Sequence, residues 1–422
     1  MDTIIFFLLT ILFITYLTTR HHISPFLALI MASVFYGALT GMGEEALHEM
    51  TNGAGNIFSF LGILIFCGAT IAQVLKYGHF LERIVHDLQT IVKRPSFAAG
   101  IGGYLLSIPL MCCITAYIVL SPLIENMPVA PSIRKQSFYL AAFGSTVSFV
   151  LLLPLPVAYM IVRTADLSLD LWTLNAITIP LSLVLLLGGY LLIGRRYTTA
   201  DAWDTPFLVD DENDKRKGNE DVMIPRWKAW APFYVPIFLI IAGHLVKTLS
   251  FLNNINIVML TATIFSLLLI DKDTRQKALD KGTRHAGIIL LDLCGAGALG
   301  QVIAASPFAE QVYILMIGTL PVVFVPFVLA SLIQTAQGSR VVTAVVSSMI
   351  MAATPITLPP LVFVLMIMAG TLVVSYVSDP FFWLVKRTTC DDTSTVVSNY
   401  TLPLAAAGVT ILLISLMIYQ IG

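Results

Sequence analysis

An internal duplication constrains this chain more than any other feature of its sequence. The stretch 73–84 recurs as 301–312, and its glutamine, phenylalanine and glutamate keep the same spacing in both copies. Isolated matches arise by chance between apolar helices, whereas ordered matches over roughly a hundred residues indicate duplication of one structural unit. The match continues downstream, pairing Thr115-Ala116 with Thr343-Ala344, Gly144-Ser145 with Gly370-Thr371 and Pro154 with Pro380.

The duplicated unit belongs in a lipid bilayer. Hydrophobic residues make up 57% of the 422 positions, charged residues make up 12%, and the mean hydropathy is +0.86. Such a composition excludes a soluble globule, and nothing in it implies a nucleic-acid partner. Segments apolar enough to enter or cross the membrane lie near 3–19, 24–41, 55–75, 96–124, 138–162, 174–194, 231–250, 254–270, 286–304, 324–352, 358–385 and 401–420.

Charge placement predicts how the two copies are oriented. The segment 96–124 is too short for two crossings and contains Pro109. The positive-inside rule keeps Arg134 and Lys135 cytoplasmic only if this segment enters and leaves on one side, as a re-entrant hairpin. By the same count the second copy starts on the opposite side, and the hairpin at 324–352 enters from the exterior.

We therefore predict an all-α, polytopic membrane protein built from two inverted repeats. Each repeat contains a re-entrant hairpin and an interrupted helix. The first repeat covers 1–196, a charged cytoplasmic linker covers 197–230, and the second repeat covers 231–422. The mixed runs 77–92 and 271–284 are expected to lie along the interface as amphipathic helices or to be solvated loops.

Backbone that leaves the helix at membrane depth must be buried in protein or line a wet cavity. Four such places are expected, at 107–109, at 144–148 ahead of Pro154, at 335–340 and at 370–379. Half-helix ends there present N–H groups to an anion and carbonyls to a cation. Candidate substrate contacts are Ser107, Gly144, Ser145, Thr146, Ser148, Thr335, Gln337, Gly338, Ser339, Arg340, Ser375 and Ser378, although each hydroxyl taken alone is more often a packing residue that bonds its own backbone.

Three charged residues in apolar surroundings are the sharpest candidates. Arg340 falls at a predicted hairpin tip, where a guanidinium either grips a carboxylate or pairs internally with an acid such as Asp379. Asp379 precedes Pro380 and either couples to a cation or only caps the following helix. Asp292, inside 286–304, is a second candidate for ion coupling, with a hydrogen-bonded structural role as its alternative.

Two motifs resemble those of a known family. Ala336-Gln337-Gly338-Ser339 and the segment 375–386, SYVSDPFFWLVK, are similar to signatures of the gluconate permease (GntP) family of proton-coupled carboxylate symporters. The chain departs from the family pattern at 108–113 and 153–156, and Arg340 stands where the family usually has a small residue. These departures favour an organic anion other than a sugar acid. The resemblance itself implies a homodimer and an elevator-like movement of a transport unit against a scaffold.

The sequence thus predicts a secondary active transporter of the inner membrane that imports a small organic anion, gluconate-like or another carboxylate, in symport with protons or sodium. Arg340 and the hairpin N-termini are expected to hold the anion, while Asp379 and Asp292 couple to the cation. A cation/proton antiporter without organic substrate and a membrane channel or scaffold remain as alternatives. No cofactor, metal site or enzymatic activity is expected, because no nucleophile–base pair, metal-ligand cluster or nucleotide-binding spacing occurs.

Overall fold

The computed structural model describes residues 2–21, 23–169, 171–197, 224–317, 320–355, 358–376 and 378–421. These residues form helices and connecting turns, as the predicted all-α class requires, and no strand occurs among them. Most of the predicted linker, 198–223, lies outside the described residues, and 226–230 already belong to a helix. Within the described ranges, six stretches are long and apolar enough to cross a membrane, at Glu44–Tyr77, Pro131–Thr164, Trp172–Gly194, Arg226–Leu245, Lys272–Ala305 and Thr393–Ile421.

The helices of the first half are α1 (Asp2–Arg20), α2 (Pro25–Leu39), α3 (Glu44–Tyr77), α4 (Phe80–Ile91), α5 (Pro95–Leu110), α6 (Cys113–Glu125), α7 (Pro131–Leu151), α8 (Pro156–Thr164) and α9 (Leu171–Tyr197). Those of the second half are α10 (Arg226–Leu245), α11 (Ile255–Leu268), α12 (Lys272–Ala305), α13 (Phe308–Ile317), α14 (Val325–Gln337), α15 (Arg340–Ala352), α16 (Pro360–Val373), α17 (Pro380–Thr389), α18 (Thr393–Val396) and α19 (Leu402–Ile421). A π-helical turn, Val397–Thr401, joins α18 to α19.

The order of elements in the first half recurs in the second. Helices α3 and α12 each have 34 residues, and a short helix follows each of them. Next comes a pair of short helices, α5–α6 or α14–α15, and then a long helix that is interrupted before a proline. The members of these pairs have 13 to 16 residues and extend at most about 24 Å, less than the hydrocarbon thickness of about 30 Å, so none can cross alone.

Backbone contact between α3 and α12 joins the two halves at the centre. A Cβ on Gly53 would lie 2.2 Å from the carbonyl oxygen of Gly297, and a Cβ on Gly297 would lie 2.5 Å from that of Gly53. Any larger residue at either position would force the helices apart. On the same pair of helices, Gln301 Nε2 donates a 2.9 Å hydrogen bond to the Glu49 carboxylate. Small residues therefore set the spacing at which the halves meet.

Glycine serves the same packing purpose in both copies of the hairpin. A Cβ on Gly144 of α7 would lie 2.2 Å from the carbonyl oxygen of Gly100 on α5. Gly370 of α16, its partner in the sequence match, faces α14, where an added Cβ would lie 2.7 Å from the carbonyl oxygen of Phe327. The expectation that the chain leaves the helix at 144–148 is wrong, because α7 continues unbroken to Leu151.

The structure also corrects the reading of 271–284. These residues are not a separate interfacial helix, since 272–284 form the first part of the continuous helix α12. Asp271 caps that helix by accepting a 2.9 Å hydrogen bond from the backbone N–H of Thr274. An apolar run ends where the charged residues begin, whereas the helix includes those charged residues and starts at Lys272. The segment 77–92 does contain a separate helix, α4.

Candidate functional site

Two tight helix–turn–helix tips lie at corresponding places in the two halves. In the first, Met111 ends α5 in the left-handed region at φ 50°, and extended Cys112 precedes α6. In the second, Gly338 ends α14 at φ 71°, and extended Ser339 precedes α15. The first tip therefore comes after the predicted position at 107–109, which falls inside α5.

Each half also contains one interrupted helix. The chain leaves helical geometry between α7 and α8 over 152–155, and between α16 and α17 over 374–379. Pro156 and Pro380 are the first residues of the helices that resume. Proline suits that position because the first N–H groups of a helix have no intrahelical acceptor. The second interruption lies within the predicted range, while the first lies beyond 144–148.

The tips and the interruptions face one cavity of about 970 Å³. Its wall includes the tip residues 111–114 and 338–342, Phe149 and Pro156 at the first interruption, and 378–380 at the second. The first residues of five helices line it, namely those of α2, α6, α8, α15 and α17. Because the N-terminus of a helix carries a partial positive charge and free N–H groups, this convergence favours an anion.

Arg340 is the buried cation of this wall. It is the first residue of α15 and is only 5% exposed. Its Nη2 donates hydrogen bonds to Ser375 Oγ at 2.8 Å, to Asp379 Oδ2 at 3.0 Å and to Tyr400 OH at 3.1 Å. Its Nε is buried without a hydrogen-bond partner among the described residues. One N–H of the guanidinium is therefore left without a protein acceptor among the described residues.

Asp379 combines two structural roles. Its Oδ1 caps α17 by accepting a 2.8 Å hydrogen bond from the N–H of Phe381. Its Oδ2 accepts from Arg340 and, at 3.2 Å, from Tyr400 OH. The carboxylate is 1% exposed, and both alternatives raised from the sequence, helix capping and internal pairing with Arg340, occur together. Any role in coupling has to act through this pair.

Tyr400 was not found from the sequence, although its hydroxyl joins Arg340 to Asp379. It is fully buried and belongs to the π-helical turn 397–401. Next to it, Thr401 Oγ1 donates to the carbonyl oxygen of Ser375. Turns of this type are frequent at functional sites. A single tyrosine in an apolar run gives no signal of this geometry, so sequence patterns could not have identified it.

Asp292 lies on another side of the same cavity. It is located within α12, is half-buried, and accepts a 3.1 Å hydrogen bond through Oδ1 from the N–H of Phe26. Phe26 is the second residue of α2, so this carboxylate faces the positive end of that helix. The structure thus brings Asp292 and Asp379 to one cavity although they lie on different helices.

The remaining predicted contacts divide by position. Gly338, Ser339 and Ser378 line the cavity, and Ser375 reaches it through Arg340. Thr335 is exposed and donates to the carbonyl oxygen of Ser331, while the side chain of Gln337 lies outside the described residues. The cavity wall does not include the five candidates on α5 and α7, namely Ser107, Gly144, Ser145, Thr146 and Ser148. The three candidate hydroxyls of α7 donate to carbonyl oxygens of their own helix, and Ser107 Oγ has no partner among the described residues.

Charge at the site comes from the second half of the chain. Cys113 is the first residue of α6, as Arg340 is of α15, and Leu155 precedes Pro156, as Asp379 precedes Pro380. The first tip and the first interruption therefore contribute uncharged surface to the cavity. Within the described ranges, no group of three or more His, Cys, Asp and Glu residues is placed to hold a metal ion.

Comparison with known proteins gives one consistent result. The model of the GntP family permeases matches residues 2–421. The L-idonate transporter of the Gnt-II system of Escherichia coli strain K12 is 25% identical, with 86% of this chain and 87% of that protein covered. The D-serine transporter DsdX of the same strain is 23% identical, with 90% of each covered. An uncharacterized permease of Haemophilus influenzae is 24% identical, with 91% of this chain and 85% of that protein covered.

Among solved structures, the chain is similar to the YdaH transporter of Alcanivorax borkumensis, whose crystal structure is described as having an unusual topology. The TM-score is 0.51 at 14% sequence identity, and the alignment covers 90% of this chain and 88% of that one. At this identity the likeness concerns the fold alone.

Proposed function

The chain belongs to the GntP family of permeases, and from that premise we propose that it imports a small organic anion by secondary active symport with protons or sodium. It is a multi-pass protein of the inner membrane, and its family consists of permeases rather than enzymes. Two of the relatives named above are an L-idonate transporter and a D-serine transporter.

The observation that carries this proposal is the meeting of five helix N-termini and Arg340 at one cavity. No side chain caps α15, because Ser339 makes no capping hydrogen bond. The first N–H groups of α15 are therefore available to a carboxylate. In this proposal the carboxylate also accepts a hydrogen bond from the Nε–H of Arg340, which has no partner among the described residues. In this proposal the anion lies between the tips, in contact with Gly338, Ser339, Arg340 and Ser378.

Coupling follows from the shared oxygen of Asp379. Oδ2 accepts from both Arg340 and Tyr400, so neutralising this carboxylate with a cation releases the guanidinium toward the substrate. One cation entering with one monoanion leaves the net charge of the site unchanged, and the loaded site then crosses the membrane without an extra buried charge. Asp292 is the second proposed cation site, since its carboxylate faces the same cavity.

The recurring order of elements supports the proposal that the chain contains two repeats, 1–196 and 231–422. From the distribution of basic residues we further propose that the repeats are inverted and that the linker, 197–230 in the sequence with 226–230 already part of α10, is cytoplasmic. In this arrangement the hairpins and the interrupted helices form the moving transport unit. The remaining long helices form a scaffold, through which two copies of the chain associate as a homodimer.

The proposal is tested with purified protein in proteoliposomes. A thermal-shift screen of small carboxylates, hydroxy acids and amino acids, with and without sodium, selects the ligand. Uptake of that ligand is then measured under an imposed pH gradient, under a sodium gradient, and in counterflow without either gradient. We expect one gradient to drive accumulation and counterflow to saturate. Saturable counterflow excludes a channel, whereas sodium–proton exchange without movement of any organic anion would establish an antiporter and overturn the proposal.

Three carboxylate variants test which residues couple uptake of the anion to the cation gradient. Asp379→Asn and Asp292→Asn remove the two proposed cation sites, while Asp391→Asn removes a carboxylate that pairs with Lys135 away from the cavity. We expect Asp379→Asn to abolish gradient-driven accumulation and to retain counterflow, because the neutral side chain imitates the loaded state. Asp391→Asn should retain both activities. Normal accumulation by both Asp379→Asn and Asp292→Asn would remove these residues from the mechanism.

A further inference from the structure

The cavity wall between the tips is mostly apolar. Few of its side chains are polar without being charged: Thr15 Oγ1 donates to the carbonyl oxygen of Ile11, Ser378 Oγ donates to that of Gln334 at 3.4 Å, and Ser339 and Trp383 contribute one hydroxyl and one indole N–H. No Asn, Gln, His or Tyr side chain lines the cavity within the part of the chain that the structure describes. The apolar surface comes from several helices and includes Ile65, Ile114, Phe149, Ile289, Leu293 and Val341.

The charges on the wall suit one carboxylate better than two. Arg340 is buried, whereas Arg387, the other arginine of the wall, is exposed near the end of α17. An exposed guanidinium is screened by water and contributes little to holding an anion. Asp292 and Asp379 face the same space, so the carboxylate that has not taken the coupling cation would repel a second negative charge on the ligand.

From these two observations we infer that the substrate is a monocarboxylate with an aliphatic or aromatic body, not a polyhydroxy acid or a dicarboxylate. The inference rests on the proposed function and names its substrate class. The carboxylate binds at Arg340 and the N-terminus of α15, and the body lies against the apolar wall. The hydroxyl groups of a polyol would lose their hydrogen bonds to water on entering the cavity, and the apolar surface of the wall offers them no acceptors or donors in exchange. A buried hydroxyl without a hydrogen bond is strongly disfavoured. Burial of an aliphatic body is favourable in the same place.

Three ligands that share a 2-hydroxycarboxylate head separate these cases. They are 2-hydroxy-4-methylpentanoate, which has an isobutyl body, gluconate, which has a polyol body, and malate, which has a second carboxylate. Dissociation constants are measured by calorimetry on the purified full-length protein. Accumulation of each labelled acid is measured in proteoliposomes. We expect 2-hydroxy-4-methylpentanoate to bind at least about tenfold more tightly than either of the others, as burial of a leucine-sized body implies.

A matched pair of substitutions tests whether the apolar cavity wall causes the preference for 2-hydroxy-4-methylpentanoate over gluconate. Val341→Thr places a hydroxyl on the cavity surface, whereas Val345→Thr places one on the same helix away from the cavity. We expect the ratio of the gluconate and 2-hydroxy-4-methylpentanoate dissociation constants to fall several-fold in Val341→Thr and to stay unchanged in Val345→Thr. Because this ratio is measured on one sample, partial loss of folded protein does not alter it.

The outcomes distinguish the inference from the proposed function. Tighter binding and accumulation of gluconate or malate would overturn the substrate class while symport of an organic anion stands. A preference equally altered by Val345→Thr would also contradict the inference. Absence of binding and accumulation for all three acids, and for the carboxylates of the wider screen, would overturn the inference and the proposed function together.

Discussion

The ion pair between Arg340 and Asp379 allows a quantitative test of the site. The two side chains are 5% and 1% exposed, and Nη2 lies 3.0 Å from Oδ2. Asp379→Asn keeps an oxygen that can cap α17 but removes the negative charge, so the guanidinium stays buried without a counter-charge. Removing one partner of a buried pair destabilises a protein by about 3–5 kcal/mol. We expect a loss of that size in the free energy of unfolding.

The companion variant is Arg340→Met, which leaves the Asp379 carboxylate buried with only Tyr400 and the N–H of Phe381 as donors. Combining Arg340→Met with Asp379→Asn removes both charges. The double variant should therefore be more stable than either single variant, and the coupling energy of the cycle should be about 3 kcal/mol.

The assay is unfolding of the purified protein in mixed micelles, followed by circular dichroism for the wild type and the three variants. Asp391→Asn is the matched control, because its partner Lys135 has a side chain that is 40% exposed. Pairs with an exposed partner contribute less, so a loss of about 1 kcal/mol is expected. If the losses of the two single variants simply add in the double variant, the two groups do not form the pair described here, and the coupling mechanism built on it is wrong.

Further predictions concern the backbone and the topology. Gly338→Ala should lower the free energy of unfolding by more than about 1 kcal/mol and reduce uptake, because φ is +71° and the new Cβ would lie 2.0 Å from the Ser378 carbonyl oxygen. Wild-type thermal stability and uptake in this variant would contradict the tip geometry. Gly53→Ala should separate α3 from α12 and destabilise the protein. Its control, Gly55→Ala, places a Cβ with no atom within 4 Å and should be neutral or slightly stabilising. Equal unfolding midpoints for the two variants would refute the close crossing of α3 and α12. Cysteines placed at Arg134 and in the linker 197–230 should react with impermeant reagents from the same side of the membrane, and reaction from opposite sides would exclude the inverted arrangement.

Sequence patterns located much of the architecture because membrane insertion imposes simple rules. Segments too short to cross and carrying proline or glycine marked both hairpins, and the second tip falls inside the predicted range. The first tip falls later than expected, since Pro109 fits within the last turn of α5 and Met111 makes the turn. Serine and threonine near Gly144 suggested a break, but their hydroxyls bond carbonyls of α7 and leave the helix intact.

The site itself was only partly predictable. Arg340 and Asp379 stood out because charge is costly at membrane depth, and their mutual pairing was one of the alternatives the sequence left open. The choice among alternatives requires distances, which sequence spacing does not give. Tyr400 could not be predicted as a site residue, since its position depends on a π-helical turn that has no sequence signature. The apolar wall comes from separate helices, so no single segment reveals it.

The most direct test of substrate binding between the tips is the reactivity of Cys112. This residue forms part of the first tip, lines the cavity, and is half-buried. Its rate of modification by a methanethiosulfonate reagent is followed by peptide mass spectrometry, with and without saturating 2-hydroxy-4-methylpentanoate or the carboxylate that the screen selects. We predict that the bound carboxylate slows modification severalfold in the wild type and has no effect in Arg340→Gln. An unchanged rate in the wild type at saturating ligand would show that the anion binds elsewhere.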